Sequence, residues 1–155
     1  MNIVVQLADY AQGQPGQKVN ALGMGWTRTG TPLGIHSLIL LIEADENERG
    51  MTVPLYIRLV DESGTSVTDQ SGTKLDVEAE FHIGESADEG EILGVVPVVL
   101  SLAAGLPLEP GFYKWEVTSP SFPDEKWTRA FKVVSNPEEA APSSTFSATL
   151  KVKGD

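Results

Sequence analysis

A strict alternation of apolar and polar side chains over residues 75–83 constrains the fold more than any other feature of the chain. Leu75, Val77, Ala79, Phe81 and Ile83 take every second position, with acidic or polar residues between them. In an extended chain successive side chains point to opposite faces, so this pattern predicts a β-strand with one buried and one solvated face. Similar alternation recurs along the sequence, and no long stretch has the period of an amphipathic helix.

A closing β-hairpin is predicted over residues 108–134. Tyr113 and Trp115 alternate with Lys114 and Glu116, which places the aromatic rings inside and the two charges in water. A turn rich in Pro, Ser and Asp follows, and a return strand is expected to end the hairpin.

The start of this hairpin resembles the corner of immunoglobulin-like domains, where a tyrosine hydroxyl bonds to nearby backbone. The pattern consists of Leu108, Pro110, Gly111 and Tyr113, and an ordinary turn followed by a strand tyrosine remains the alternative. Strands recur at spacings of roughly 8–12 residues, which is typical of a sandwich. We therefore expect an all-β, immunoglobulin-like antiparallel β-sandwich of about seven to nine strands, without an internal repeat.

The composition changes after residue 134. Residues 1–134 are expected to form the sandwich domain, and residues 135–155 a linker followed by a C-terminal extension strand. A tethered strand can pair with the open edge of a neighbouring subunit; the alternatives are that it folds back on its own sheet or stays disordered. The side chains expected to bind the partner are those of Phe146, Ala148, Leu150 and Val152.

The charge balance excludes several classes of partner. Lys and Arg total 11 against 22 Asp and Glu, a formal net charge of −11, which disfavours nucleic acid and anionic membrane surfaces. Cysteine is absent, so no disulfide framework marks an oxidising compartment. The first residues lack the basic region of a signal peptide, and the apolar runs are too short to span a bilayer. We expect a cytoplasmic protein, or one incorporated in a particle that is assembled inside the cell.

The sequence predicts no catalytic residue, cofactor site or metal site. His36 opens a buried strand and His82 lies on a polar face, and neither has a partner at zinc-ligand spacing. No GxSxG motif occurs either, so we expect that the protein is not an enzyme. One acidic loop has the oxygen ligands that calcium prefers but lacks an EF-hand pattern, and a solvated loop is the favoured interpretation. Its acids are Glu85, Asp88, Glu89 and Glu91.

Aromatic residues offer a second kind of binding site. Trp26, Trp115, Trp127 and Tyr56 would form a platform on which sugars stack, unless the tryptophans belong to the core. Trp127 lies near the predicted turn and, with Arg129, is the candidate exposed anchor for a partner. Its position also matches an inward face, so burial is the alternative.

Both ends of the domain resemble a known family. The segments are residues 7–11 (LADYA), 18–23 (KVNALG) and 25–27 (GWT), and residues 110–113 (PGFY) near the closing hairpin. They resemble an uncharacterised bacterial family of small all-β proteins, common in actinobacteria and classed as a domain of unknown function. The resemblance covers roughly residues 2–134 and implies a fold, without an activity to carry over.

The expected function is a non-catalytic interaction module, an accessory or structural subunit of a larger protein assembly such as a shell- or virion-decorating protein. The expected partner is a protein, either a second copy of this chain or an assembly scaffold. The alternative is a soluble module that binds a carbohydrate or another small ligand through exposed aromatic side chains.

Overall fold

The computed structural model describes residues 1–14, 17–69, 71–85, 94–102 and 106–136, and its described residues form ten strands and one short 3₁₀ helix, Glu46–Glu48. The strands are β1 (Asn2–Ala8), β2 (Tyr10–Gln12), β3 (Asn20–Leu22), β4 (Arg28–Gly30), β5 (His36–Glu43), β6 (Thr52–Asp61), β7 (Asp76–His82), β8 (Val95–Leu102), β9 (Gly111–Ser119) and β10 (Phe122–Val134).

The strands form two main sheets. One has three strands in the order β1-β5-β8, and the other has five in the order β4-β10-β9-β6-β7. Strands β2 and β3 make a separate two-stranded sheet. Neighbouring strands are antiparallel, except that β4 runs parallel to β10.

One hydrophobic core lies between the two main sheets. It joins Leu7 of β1 and Leu38 of β5 to Ile57 of β6 and to Trp115 and Phe131 of β9 and β10. Each of these side chains is at most 2% exposed, and full burial of such a side chain stabilises the fold by roughly 1.5–3 kcal/mol. The alternating strands therefore bury one face each against the opposite sheet.

The all-β prediction is confirmed, and the strand order follows the immunoglobulin pattern. If β1, β5 and β8 are strands A, B and E, then β10, β9, β6 and β7 are strands G, F, C and C′. The predicted corner is present as well, because the hydroxyl of Tyr113 donates a hydrogen bond to the backbone oxygen of Glu109 at 2.9 Å.

The alternation of Leu22, Met24 and Trp26 with smaller residues predicts one continuous strand over residues 18–27, which is wrong, because only Asn20–Leu22 forms β3 there. Gly23 and Gly25 have φ angles of 60° and 92°, which L-residues with a side chain rarely adopt, so the chain turns instead of continuing the strand. A Cβ on Gly23 would also collide with the carboxylate of Asp9, an exposed side chain that would then have to move. As a consequence Trp26 lies in a loop before β4 and not on a strand.

A short repeat, which the sequence analysis missed, connects β6 to β7. The sequences of residues 61–65 (DESGT) and 69–73 (DQSGT) are alike, and Asp61 and Asp69 make equivalent hydrogen bonds. Oδ1 of Asp61 accepts hydrogen bonds from the backbone nitrogens of Ser63 and Thr65, and Oδ1 of Asp69 accepts the equivalent bonds from Ser71 and Thr73. The pattern could have been found by comparing turn residues instead of whole strands.

The closing hairpin lies within the predicted residues 108–134, but its turn is shorter than the predicted segment rich in Pro, Ser and Asp. Strand β10 begins at Phe122, directly after a turn at Pro120 and Ser121, and a shift in pairing with β9 absorbs the residues between Phe122 and Lys126. The predicted tail strand, with Phe146, Ala148, Leu150 and Val152, lies outside the described residues.

Candidate functional site

The outer face of the five-stranded sheet is the first candidate site. We call it the outer face and define it by the side chains that point away from the core on four neighbouring strands. They are Lys126, Thr128 and Lys132 on β10; Phe112, Lys114 and Glu116 on β9; Tyr56 and Arg58 on β6; and Asp76, Glu78 and Glu80 on β7. Cross-strand neighbours share a face of the sheet, so the register places these side chains side by side.

A buried carboxylate lies at the centre of this face. Glu116 is 2% exposed, and its Oε2 accepts hydrogen bonds from Arg58 at 2.8 Å and 3.1 Å. Its Oε1 lies 2.8 Å from Nζ of Lys114 and 3.5 Å from Nζ of Lys126. The sequence placed Glu116 in water, which is wrong, because three long cationic side chains cover it.

The charge state of Glu116 follows from these contacts. Burial acts to raise the pKa of its carboxyl, but the hydrogen bonds from Lys114 and Arg58 outweigh that effect and the pKa lies below its ordinary value. One carboxylate is thus surrounded by three cations, Arg58, Lys114 and Lys126, and this part of the outer face keeps an excess of positive charge.

Two aromatic side chains of the outer face are open to solvent. Phe112 is 53% exposed and Tyr56 is 42% exposed, in contrast to the buried aromatic residues on the opposite face of the sheet. Nζ of Lys132 lies 5.3 Å from the centre of the Phe112 ring, within the range of a cation–π contact. Exposed aromatic rings beside cations are typical of protein interfaces.

The opposite end of the outer face is acidic. Asp76, Glu78 and Glu80 are exposed on β7, the edge strand of the sheet, and each directly opposes a residue of β6. Glu78 opposes the exposed Tyr56, and Asp76 opposes Arg58. The outer face therefore changes from positive on β9 and on residues 126–132 of β10 to negative on β7, while Asp124 and Glu125 are exposed at the start of β10.

A cleft at one end of the molecule is the second candidate site. Its volume is about 330 Å³, and it opens between the end of β1, the start of β5 and the edge strand β4. We call it the Trp26 cleft; it is lined by Asp9, Trp26, Arg28, Thr29, Leu33, Gly34, Ile35 and His36.

His36 is the most deeply buried polar residue of the Trp26 cleft, with 2% exposure. Its Nδ1 lies 3.0 Å from the backbone oxygen of Gly34, which can only accept, so Nδ1 carries the hydrogen and Nε2 the lone pair. Burial lowers the pKa of His36 despite this hydrogen bond, which keeps the ring neutral at pH 7.

The anchor predicted at Trp127 and Arg129 is not exposed. Trp127 is 8% exposed and packs edge to face against Phe122, because β10 turns it toward the core. Arg129 lies directly opposite the inward-facing Trp115 and is half-buried, and its Nη2 donates to the backbone oxygen of Gly25 at 3.3 Å. Trp127 is four positions before Phe131, so a strand places both side chains on the same inward face, and this spacing indicated that Trp127 is buried.

The remaining predicted positions divide between the two candidate sites and the undescribed segments. Of the four aromatic residues of the expected platform, Trp26 lines the cleft, Tyr56 is on the outer face, and Trp115 is buried. In the acidic loop Glu85 is exposed, whereas Asp88, Glu89 and Glu91 lie outside the described residues. Among the residues that the structure covers, no three His, Asp or Glu side chains converge as a metal site would require.

No family model matches the chain, and no curated protein matches it. The resemblance to an uncharacterised actinobacterial-type family remains a prediction from the residues quoted above. In the part of the chain that the structure describes, no helix is long and apolar enough to cross a membrane.

Proposed function

We propose that this protein is a non-catalytic interaction module, a subunit of a larger protein assembly, and that two copies dock through the outer face. The observation that carries the proposal is the division of charge on that face, with Lys126 and Lys132 at one end and Glu78 and Glu80 at the other.

A second copy is the occupant that this division favours. A twofold axis that lies in the plane of the contact, parallel to the strands, would place β10 of one copy over β7 of the other, so that each lysine end faces a carboxylate end. The exposed rings of Tyr56 and Phe112 lie on β6 and β9, the two strands nearest to this axis, where both take part in the contact. Because each copy has a net charge of −11, two copies repel each other in most orientations. The orientation that places opposite charges against each other is therefore favoured.

Charge reversal tests this proposal. The first variant is Lys126→Glu with Lys132→Glu, and the second is Glu78→Lys with Glu80→Lys. Each variant alone is expected to be monomeric, because like charges then face each other. A mixture of the two is expected to form a heterodimer, since both pairs of contacts become attractive again.

Sedimentation velocity distinguishes the outcomes. The wild-type chain is expected to move from 16.6 kDa toward twice that mass as its concentration rises, and the mixture of variants is expected to do the same. Lys18→Glu changes an exposed charge outside the outer face and serves as the control that leaves association intact. A wild-type chain that stays monomeric at about 1 mM overturns the proposal, because such an interface would contribute less than about 4 kcal/mol.

A further inference from the structure

The unpartnered polar groups of the core gather behind the Trp26 cleft. In the described residues four buried side-chain nitrogens make no hydrogen bond: Nε1 of Trp26, Nε2 of His36, Nε1 of Trp115 and Nε of Arg129. Buried polar groups are nearly always hydrogen-bonded in native proteins, so four exceptions in one place require an explanation.

Ring contacts and one hydrogen bond show that the four groups are neighbours. The ring of His36 lies 5.9 Å from that of Trp26 and 6.2 Å from that of Trp115. Arg129 is the cross-strand neighbour of Trp115, and its Nη2 bonds to Gly25, the residue before Trp26. Two of the four residues, Trp26 and His36, also line the cleft.

The chemistry of these groups limits what would satisfy them. The two indoles and the guanidinium offer three N–H donors, whereas Nε2 of His36 offers a lone pair because its Nδ1–H is bonded to Gly34. A hydroxyl group both accepts and donates, so hydroxyls match this set better than a purely accepting anion or a purely donating cation. Asp9 and Arg28 line the mouth of the cleft, and they also match hydroxyl groups, because the carboxylate accepts hydrogen bonds and the guanidinium donates them.

The volume and the charge of the Trp26 cleft limit the class of ligand further. The cleft, at about 330 Å³, lies at the lower end of the range for small-molecule sites and holds about ten water molecules at roughly 30 Å³ each. One carboxylate and one guanidinium in the lining balance each other, which favours a neutral ligand. The half-buried indole of Trp26 adds an apolar surface for the C–H groups of a sugar ring.

We propose that the Trp26 cleft binds a neutral polyhydroxylated small molecule of about the size of a monosaccharide. Its hydroxyls bind Asp9 and Arg28 at the mouth. They also bind Nε1 of Trp26 and Nε2 of His36, two residues of the lining whose nitrogens have no hydrogen-bond partner in the protein. This site does not depend on the docking of two copies through the outer face.

The three tryptophans of the chain allow ligand binding to be tested with a control in the same sample. In a ¹⁵N-labelled full-length chain, each indole N–H gives its own NMR signal. The probes are glucose, galactose, mannose and N-acetylglucosamine, each titrated to about 100 mM because single sugars bind weakly through few hydrogen bonds. The signal of Trp26 is expected to shift and saturate, and that of Trp115, whose ring contacts His36, is expected to shift less at the same concentrations. The signal of Trp127, which packs against Phe122 elsewhere in the core, is expected to stay in place.

A pair of matched variants completes the experiment. Trp26→Phe keeps an aromatic ring and removes the N–H, and is expected to weaken binding about tenfold, as loss of one buried hydrogen bond does. Trp127→Phe is the control and leaves the affinity unchanged. Asp9→Asn, at an exposed position, repeats the test at the mouth of the cleft if Trp26→Phe fails to fold.

Three results overturn the proposal. One is that no probe moves any indole signal, in which case water alone satisfies the four nitrogens. Another is that the Trp127 signal shifts as much as the other two, which indicates nonspecific binding. The third is that Trp26→Phe and Asp9→Asn both bind the sugar as tightly as the wild-type chain does.

Discussion

Arg58 donates two hydrogen bonds to one oxygen of Glu116, from Nη2 at 2.8 Å and from Nε at 3.1 Å. The two residues are direct cross-strand neighbours on β6 and β9, adjacent strands of the five-stranded sheet. The carboxylate is buried, while the arginine side chain remains 42% exposed. The arginine thus shields the carboxylate and links two strands on the side of the sheet that faces away from the core.

Glu116→Gln tests how much this arrangement stabilises the fold. At pH 7 we expect a loss of about 1–3 kcal/mol in the free energy of unfolding, because the buried side chain loses its charge-assisted hydrogen bonds. The folded pKa of Glu116 is below 4.5, so its contribution is complete above pH 4.5 and is lost as the pH falls through the folded pKa. Urea unfolding between pH 7 and pH 3 measures the difference.

The difference between wild type and Glu116→Gln is therefore expected to shrink at acidic pH. Glu78→Gln, at an exposed position of the same face, is the control and should change the stability by less than about 0.5 kcal/mol. A constant difference across the pH range would contradict the assigned charge state.

His36 predicts a second pH dependence, at higher pH. Burial lowers its pKa below 6.5 in the folded protein, whereas the unfolded chain binds a proton near pH 6.5. The unfolded state therefore takes up more protons as the pH falls below 6.5, and the stability decreases until the folded pKa is reached. The slope is at most about 1.4 kcal/mol per pH unit for one group.

The comparison uses His36→Phe and His82→Phe in urea unfolding between pH 8 and pH 5. His36→Phe is expected to remove the slope, whereas His82→Phe, on the solvated face, keeps it. An unchanged slope in His36→Phe would assign the titration to another group.

Trp127→Ala distinguishes a core residue from an exposed anchor. Because Trp127 is 8% exposed and packs against Phe122, we expect a loss of about 3–5 kcal/mol in the free energy of unfolding. Phe112→Ala, at 53% exposure, should cost less than about 1 kcal/mol, its contact with Lys132 included. Equal effects in chemical denaturation would contradict the assignment of these two aromatic residues to opposite faces.

A chain that ends at Asn136 tests the predicted division into a domain and a tail. The core of the described residues includes no position beyond Val134, so we expect the melting temperature to change by less than about 2 °C. If the predicted tail strand pairs with a neighbouring subunit, the truncation also lowers the mass measured by light scattering. A large loss of thermal stability would show that the tail belongs to the sandwich.

Alternation along the strands was sufficient to predict most of the fold. Leu55 and Ile57 on β6, and Tyr113 and Trp115 on β9, face the core as the two-residue period predicted. Where glycine interrupts the pattern the prediction failed, as at Gly23, because a positive φ ends the strand even though the apolar residues continue to alternate.

The sequence alone determined which side of each strand is apolar, because the direction of a side chain in an extended chain depends only on its parity. Only the tertiary structure decided that Glu116 is buried, since its cover comes from Arg58, which is 58 residues away in the chain. It also decided that Trp26 and His36 lie beside Trp115 and Arg129 at one cleft. Such neighbours depend on which strands pair and in what register, and neither property is contained in the period of a single strand.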